Sequence, residues 1–167
     1  ENGKNSYHFW SEDGEQSDTL LQEIDTDANL DGIHRMILEE KDESRGAFHV
    51  EYDEFKALYD FAMRCVTRNS QMVQTLLFTL SQSEKNQTDI SMDSIMEILK
   101  DTVIESLRSV DTGTKYSCSQ YIVLLMDTDE KNGKTVAERV IHKFYQNEKV
   151  AMSGVTVTFD IQPLKSV

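Results

Sequence analysis

The segment Lys115–Asp129, KYSCSQYIVLLMDTD, constrains this chain more than any other stretch. It reads as a tight hairpin turning through Ser117-Cys118-Ser119-Gln120. The second strand, Ile122-Val123-Leu124-Leu125, is the centre of an apolar run of strand length that ends at Gln120 and Asp127, which marks it as buried. An acidic turn at Asp127-Thr128-Asp129 and a helix follow it.

Composition sets the frame around this hairpin. A chain of 167 residues with 38% hydrophobic and 28% charged residues suits one soluble domain plus an appendage. The net charge of −13 argues against nucleic-acid binding and against an anionic membrane surface, since phosphate contacts need clustered Lys and Arg. No apolar run reaches membrane-spanning length. The two cysteines, Cys65 and Cys118, have neither metal-ligand nor disulfide-framework spacing, and a reducing cytoplasm is the expected setting. Cys65 falls on the apolar face of a helical pattern and is expected in the core. The chain opens on Glu1 rather than Met, as a processed product or a piece of a longer protein would.

Residues 1–43 are polar and acidic, with two short apolar clusters, Leu20-Leu21-Ile24 and Ile33-Met36-Ile37-Leu38. They read as a linker with one or two short helices, ahead of a domain over 44–167. Within that domain Phe55, Leu58, Tyr59, Ala62, Cys65 and Val66 recur at helical spacing, predicting an amphipathic helix over 53–68. Val73–Leu80 fits a buried strand. A helix through Ile95, Met96, Leu99, Val103 and Leu107 starts at Ser91 or Asp93, either of which can cap it. The hairpin, a helix near 131–147 and an alternating strand over Val155–Ile161 complete the chain. Without its first helix this order is the split βαβ arrangement of ferredoxin-like folds, an antiparallel sheet with helices packed on one face.

The run Asp93–Arg139 resembles the GGDEF family of diguanylate cyclases without a gap. The helix ending at Leu107-Arg108, the turn to Asp111, the hairpin, the strand Ile122–Leu125, the turn at Asp127–Asp129 and Ala137-Glu138-Arg139 fall in register, and Val155-Thr156-Val157-Thr158 is similar to the family's late strand. The resemblance covers roughly residues 45–161. It implies an α/β (α+β sandwich) fold of nucleotidyl-cyclase palm type, with a sheet antiparallel at its centre. It also implies a bacterial signal-transduction setting, in which the active members condense two GTP molecules into cyclic di-GMP with carboxylate-held magnesium.

At each position that this chemistry needs, the sequence departs. The signature pentapeptide reads Ser117-Cys118-Ser119-Gln120-Tyr121, so both glycines and both acids are replaced. The metal-binding Asp of the first strand falls at Thr79. The loop that would carry a guanine-recognising Asn is about three residues short. Asp93 takes the place of a base-contacting Asp, and is equally a helix cap. Neutral Thr79, Ser119 and Gln120 offer magnesium no anionic oxygen, and losing even one such ligand costs several kcal/mol of transition-state stabilisation. The expectation is a chain without catalysis, metal or cofactor. One family feature survives: Arg108-x-x-Asp111 matches in register the inhibitory motif that binds cyclic di-GMP, where an Arg grips phosphate or guanine and a carboxylate accepts from guanine N–H groups. Lys115 and Lys100 could add positive potential. The alternative is that Arg108 complements a helix C-terminus and Asp111 caps a turn.

Other constellations read more simply. Asp27-x-Asn29-x-Asp31-Gly32 opens like an EF-hand calcium loop, but its closing position is Leu38 rather than Glu, so a solvated acidic turn fits better. Ser117, Cys118 and Ser119 have no His near in sequence, which leaves them as polar tip residues. The acidic run Asp127–Glu130 most simply starts the next helix.

The functional expectation is a non-catalytic regulatory or interaction module of a signalling protein. Its partners would be other domains of the same protein, a separate protein or a second copy. The alternatives are a receptor for cyclic di-GMP or GTP through Arg108 and Asp111, and an active diguanylate cyclase with atypical metal ligands.

Overall fold

Alternation along the hairpin's second strand decides the architecture. Tyr121, Val123 and Leu125 are buried in one apolar cluster, whereas Ile122, Leu124 and Met126 belong to another. Successive strand residues face opposite ways, so this sheet must be covered on both sides.

A computed structural model of the chain describes residues 30–39, 46–83 and 89–165. The chain divides into two units, Glu1–Glu43 and Ser44–Val167. The first contributes one described helix, α1 (Leu30–Glu39), which contains the second apolar cluster of the acidic extension. Leu20-Leu21-Ile24, Asp27 and Asn29 lie outside the described residues. Asp31 and Gly32, from the calcium-loop pattern, are in the first turn of α1.

The second unit runs β1 (Phe48–His49), α2 (Tyr52–Asn69), β2 (Val73–Gln82), α3 (Met92–Ser106), β3 (Thr112–Lys115), β4 (Gln120–Met126), α4 (Glu130–Tyr145), α5 (Glu148–Ser153) and β5 (Val155–Pro163). The five strands lie in the order β1-β3-β4-β2-β5. β1 is parallel to β3, and every other pair is antiparallel. From β2 to β5 this is the expected split βαβ arrangement.

The helices, however, occupy both faces. Ile95, Met96, Leu99 and Val103 of α3 and Ala137, Val140 and Phe144 of α4 pack on Leu76, Phe78, Val123 and Leu125. On the opposite face, Phe55 and Ala62 of α2 pack with Val73 and Leu124. The expectation of one covered face is corrected by the strand itself, whose even-numbered apolar residues need α2. Each such side chain removed from water contributes about 1.5–3 kcal/mol before entropy is counted.

Local sequence explains the boundaries. Glu51 and Glu54 form a reciprocal capping box at the start of α2, with the Glu51 amide donating to Glu54 Oε2 at 3.1 Å. Ser91, rather than Asp93, caps α3, its Oγ accepting from the Ser94 amide at 3.2 Å. Asp129 does the same for α4 at 2.7 Å from the Asn132 amide, so the acidic turn does begin that helix. β1 and α5 were not anticipated. α5 is one short stretch between the Asn147 cap and Gly154, whose φ of 66° favours a residue without Cβ.

Candidate functional site

The hairpin tip and the end of β2 bring Thr79 and Ser117–Gln120 together. Thr79 stands directly opposite Gln120 in the β2–β4 ladder, and Gln120 Nε2 donates to Thr79 Oγ1 at 3.4 Å. The Leu80 amide donates to the Ser119 carbonyl at 2.8 Å, which ties the tip to β2. Tyr116 and Ser117 amides both donate to the Gln120 carbonyl, at 2.9 and 3.2 Å, closing the turn. The Ser119 amide donates to Ser117 Oγ at 3.3 Å, and Cys118 is exposed. The side chains meeting here are neutral hydroxyls and an amide. Among the described residues, no three His, Cys, Asp or Glu side chains converge closely enough to hold a metal ion.

Tyr121, the fifth member, turns the other way into the core. Its ring lies against Gly113 of β3, where an added Cβ would fall 2.7 Å from Cε1. Its hydroxyl and His49 Nδ1 share a hydrogen bond of 2.9 Å, and the two rings stack at 5.9 Å. Burial pushes the Tyr121 phenol well above its usual range. Desolvation, and then the Lys100 charge, hold the His49 imidazole below its ordinary value. With the phenol protonated and the imidazole neutral, the imidazole tautomer sets which of the two groups donates.

Arg108 and Asp111 are also brought together, in a web of backbone contacts. Asp111 is 2% exposed. Its Oδ2 accepts from the Arg108 amide at 3.1 Å and its Oδ1 from the Met126 amide at 3.1 Å. Arg108 Nε lies 3.6 Å from Asp111 Oδ2. Arg108 Nη2 donates to the Met126 carbonyl at 2.7 Å and to Thr128 Oγ1 at 3.0 Å. The pair thus joins the α3–β3 turn to the end of β4. The two lysines expected to add positive potential are engaged with acids instead, Lys115 with Asp93 at 3.3 Å and Lys100 with Glu97.

Three residues of this region escaped the sequence reading. Thr128 is buried and receives Arg108, and its own hydroxyl donates to the Met126 carbonyl at 2.8 Å. His49 sits on a strand of two residues. Asp127 adopts a left-handed φ of 47° and accepts from Gln71 Nε2 at 2.9 Å. Only the X-Asp-X-Asp turn pattern hinted at any of them. Cys65 is half-buried rather than enclosed in the core.

No family model matches this chain, and no curated protein sequence matches it either. Solved structures do share its fold. Diguanylate cyclase SiaD of Pseudomonas aeruginosa, solved with its activator SiaC, aligns at a TM-score of 0.60 and 15% identity over 78% of this chain and 53% of that one. The coiled coil and GGDEF domain of DgcB from Caulobacter crescentus, in complex with c-di-GMP, aligns at 0.59 and 9% identity over 78% and 75%. The FimX GGDEF domain of Pseudomonas aeruginosa aligns at 0.58 and 14% identity over 75% and 80%. The chain therefore has a GGDEF-like fold, the mixed sheet and helices of the nucleotidyl-cyclase palm.

Proposed function

We propose that residues 44–167 form a non-catalytic GGDEF-like module that regulates or contacts other proteins in a cytoplasmic signalling system. The observation that carries this reading is the Thr79–Gln120 contact, two neutral side chains bonded to each other where the resemblance calls for magnesium-binding carboxylates. Magnesium is a hard cation that is bound through carboxylates and substrate phosphates. Thr79, Ser119 and Gln120 do not fit that requirement, and a developing phosphoryl charge between them would go uncompensated. A protein partner is the natural output of a module without chemistry; SiaD, of similar fold, was solved with an activator protein. The test is incubation of the purified protein with GTP and magnesium or manganese. No cyclic di-GMP is expected, and clear turnover would overturn the reading.

A cyclic di-GMP receptor through Arg108 and Asp111 is less well supported. Both Asp111 oxygens already accept backbone amides, and the Arg108 guanidinium is spent on Met126, Thr128 and Asp111. A ligand that read Asp111 would have to displace its backbone bonds. Calorimetry with cyclic di-GMP should give no heat; saturable heat abolished by Arg108→Ala would restore the receptor reading.

A further inference from the structure

A cleft of about 320 Å³ opens between the start of α2 and the β3–β4 hairpin, lined by α2 side chains together with Tyr116 and Ile122. Its walls are aromatic. Tyr52 and Tyr116 meet edge to face with ring centroids 5.5 Å apart, and Phe55 and Tyr59 lie 6.4 Å apart. Phe55 is buried, Tyr59 half-buried, and Tyr52 and Tyr116 are exposed. Two exposed rings therefore flank an apolar recess. The chain already seats a cation here: the Lys56 ammonium stands 5.7 Å from the centre of the Tyr52 ring. Asp53 holds that lysine at 3.4 Å, and Asp60 is the carboxylate of the lining.

Ring faces are electron-rich, and they favour cations that shed water easily. The apolar Phe55 and Ile122 would reject a strongly hydrated ion. We infer that this cleft binds an alkylated ammonium group, caged by Tyr52, Tyr59 and Tyr116 with Asp60 as counter-charge. None of these residues occupies a degenerate metal position, so the inference stands apart from the question of catalysis. The group could come from a free quaternary amine or from a methylated lysine of another protein.

Titration of isotope-labelled protein by NMR tests this, with choline and its neutral isostere 3,3-dimethyl-1-butanol as probes. Choline should cause saturable shifts around α2 and the hairpin and should bind roughly fivefold more tightly than the alcohol, the scale of an exposed cation–π contact. Tyr52→Leu and Tyr116→Leu keep the apolar bulk but remove the ring faces, and each should weaken choline several-fold. Lys56→Met frees a ring face and should strengthen it. A short peptide carrying trimethyllysine, run beside choline, separates the sources: tighter peptide binding assigns the site to a protein ligand, equal binding to the free amine. Equal affinity for choline and the alcohol would overturn the inference, as would neither choline nor the peptide producing shifts, or leucine variants that bind choline like the parent.

Discussion

Tyr121 is the only member of the pentapeptide Ser117–Tyr121 that is fully buried, and its partner His49 lies 72 positions away in the chain. This pair makes stability depend on pH. The unfolded imidazole titrates near 6.5, and the folded one lower, because burial and Lys100 oppose its charge. Between those two values the unfolded chain binds more protons, so stability rises with pH through that window and is lost as pH falls below about 6.5. Glu97 and Glu130, held low chiefly by their hydrogen bonds to Lys100 and Lys134, titrate further down and leave the window clear. Urea unfolding between pH 7.5 and 5.5 should show a decline in the parent and a flatter profile in His49→Gln. Parallel profiles would remove His49 from the account. Asp111 makes a second, sharper case. Asp111→Ala strands two backbone amides in a buried turn, a loss of about 3 kcal/mol. Arg108→Ala should cost less than about 1.5 kcal/mol, since its side chain is 58% exposed and water can replace it. Denaturant midpoints in the reverse order would show that Arg108, not Asp111, anchors the turn.

At the scale of elements, the long ones were legible and the short ones were not. α2, α3 and α4 each carry several apolar residues at helical spacing, and β2, β4 and β5 are long enough for their patterns to register. β1 has two residues and no period, and its pairing with β3 depends on contacts far apart in sequence. The assignment of α2 to its own face was hidden for a related reason. An apolar run such as Ile122–Leu125 announces burial on both sides without saying which helix covers which. The candidate site divides in the same way. Thr79 and Gln120 were singled out from register and do face each other in the β2–β4 ladder, but Thr128 and the Met126 carbonyl as partners of Arg108 were not legible, because nothing local links them. The glycine of β3 shows how strictly one element dictates its neighbour. At Gly113 a methyl group would meet the enclosed Tyr121 ring at 2.7 Å, and that ring has no room to retreat. Gly113→Ala should cost about 1–3 kcal/mol. In a double-mutant cycle with Tyr121→Leu, the combined loss should be smaller than the sum of the two single losses. Full additivity would place the strain elsewhere.

For the molecule as a whole, two apolar clusters pack the sheet on its two faces, and fold and function are separable. The same separation makes the reverse change informative. Thr79→Asp with Gln120→Glu would place two carboxylates directly opposite each other in the β2–β4 ladder of a chain already at −13. Like charges facing across a ladder are destabilising. Monovalent salt should recover only part of that loss, since screening acts on exposed charges over about 10 Å at 0.1 M and weakly on a close pair. A divalent cation bound between the two acids should recover more, by the stabilisation that any ligand specific to the folded state confers. Thermal unfolding of the parent and the double variant, with and without millimolar magnesium or manganese at fixed ionic strength, therefore distinguishes a scaffold that lost its ligands from one that never needed them. The parent should show no midpoint shift with either cation, and the variant a lowered midpoint that divalent cation raises. A parent that gains as much as the variant would mean that the neutral tip binds metal by itself, and the non-catalytic reading would lose the observation on which it rests.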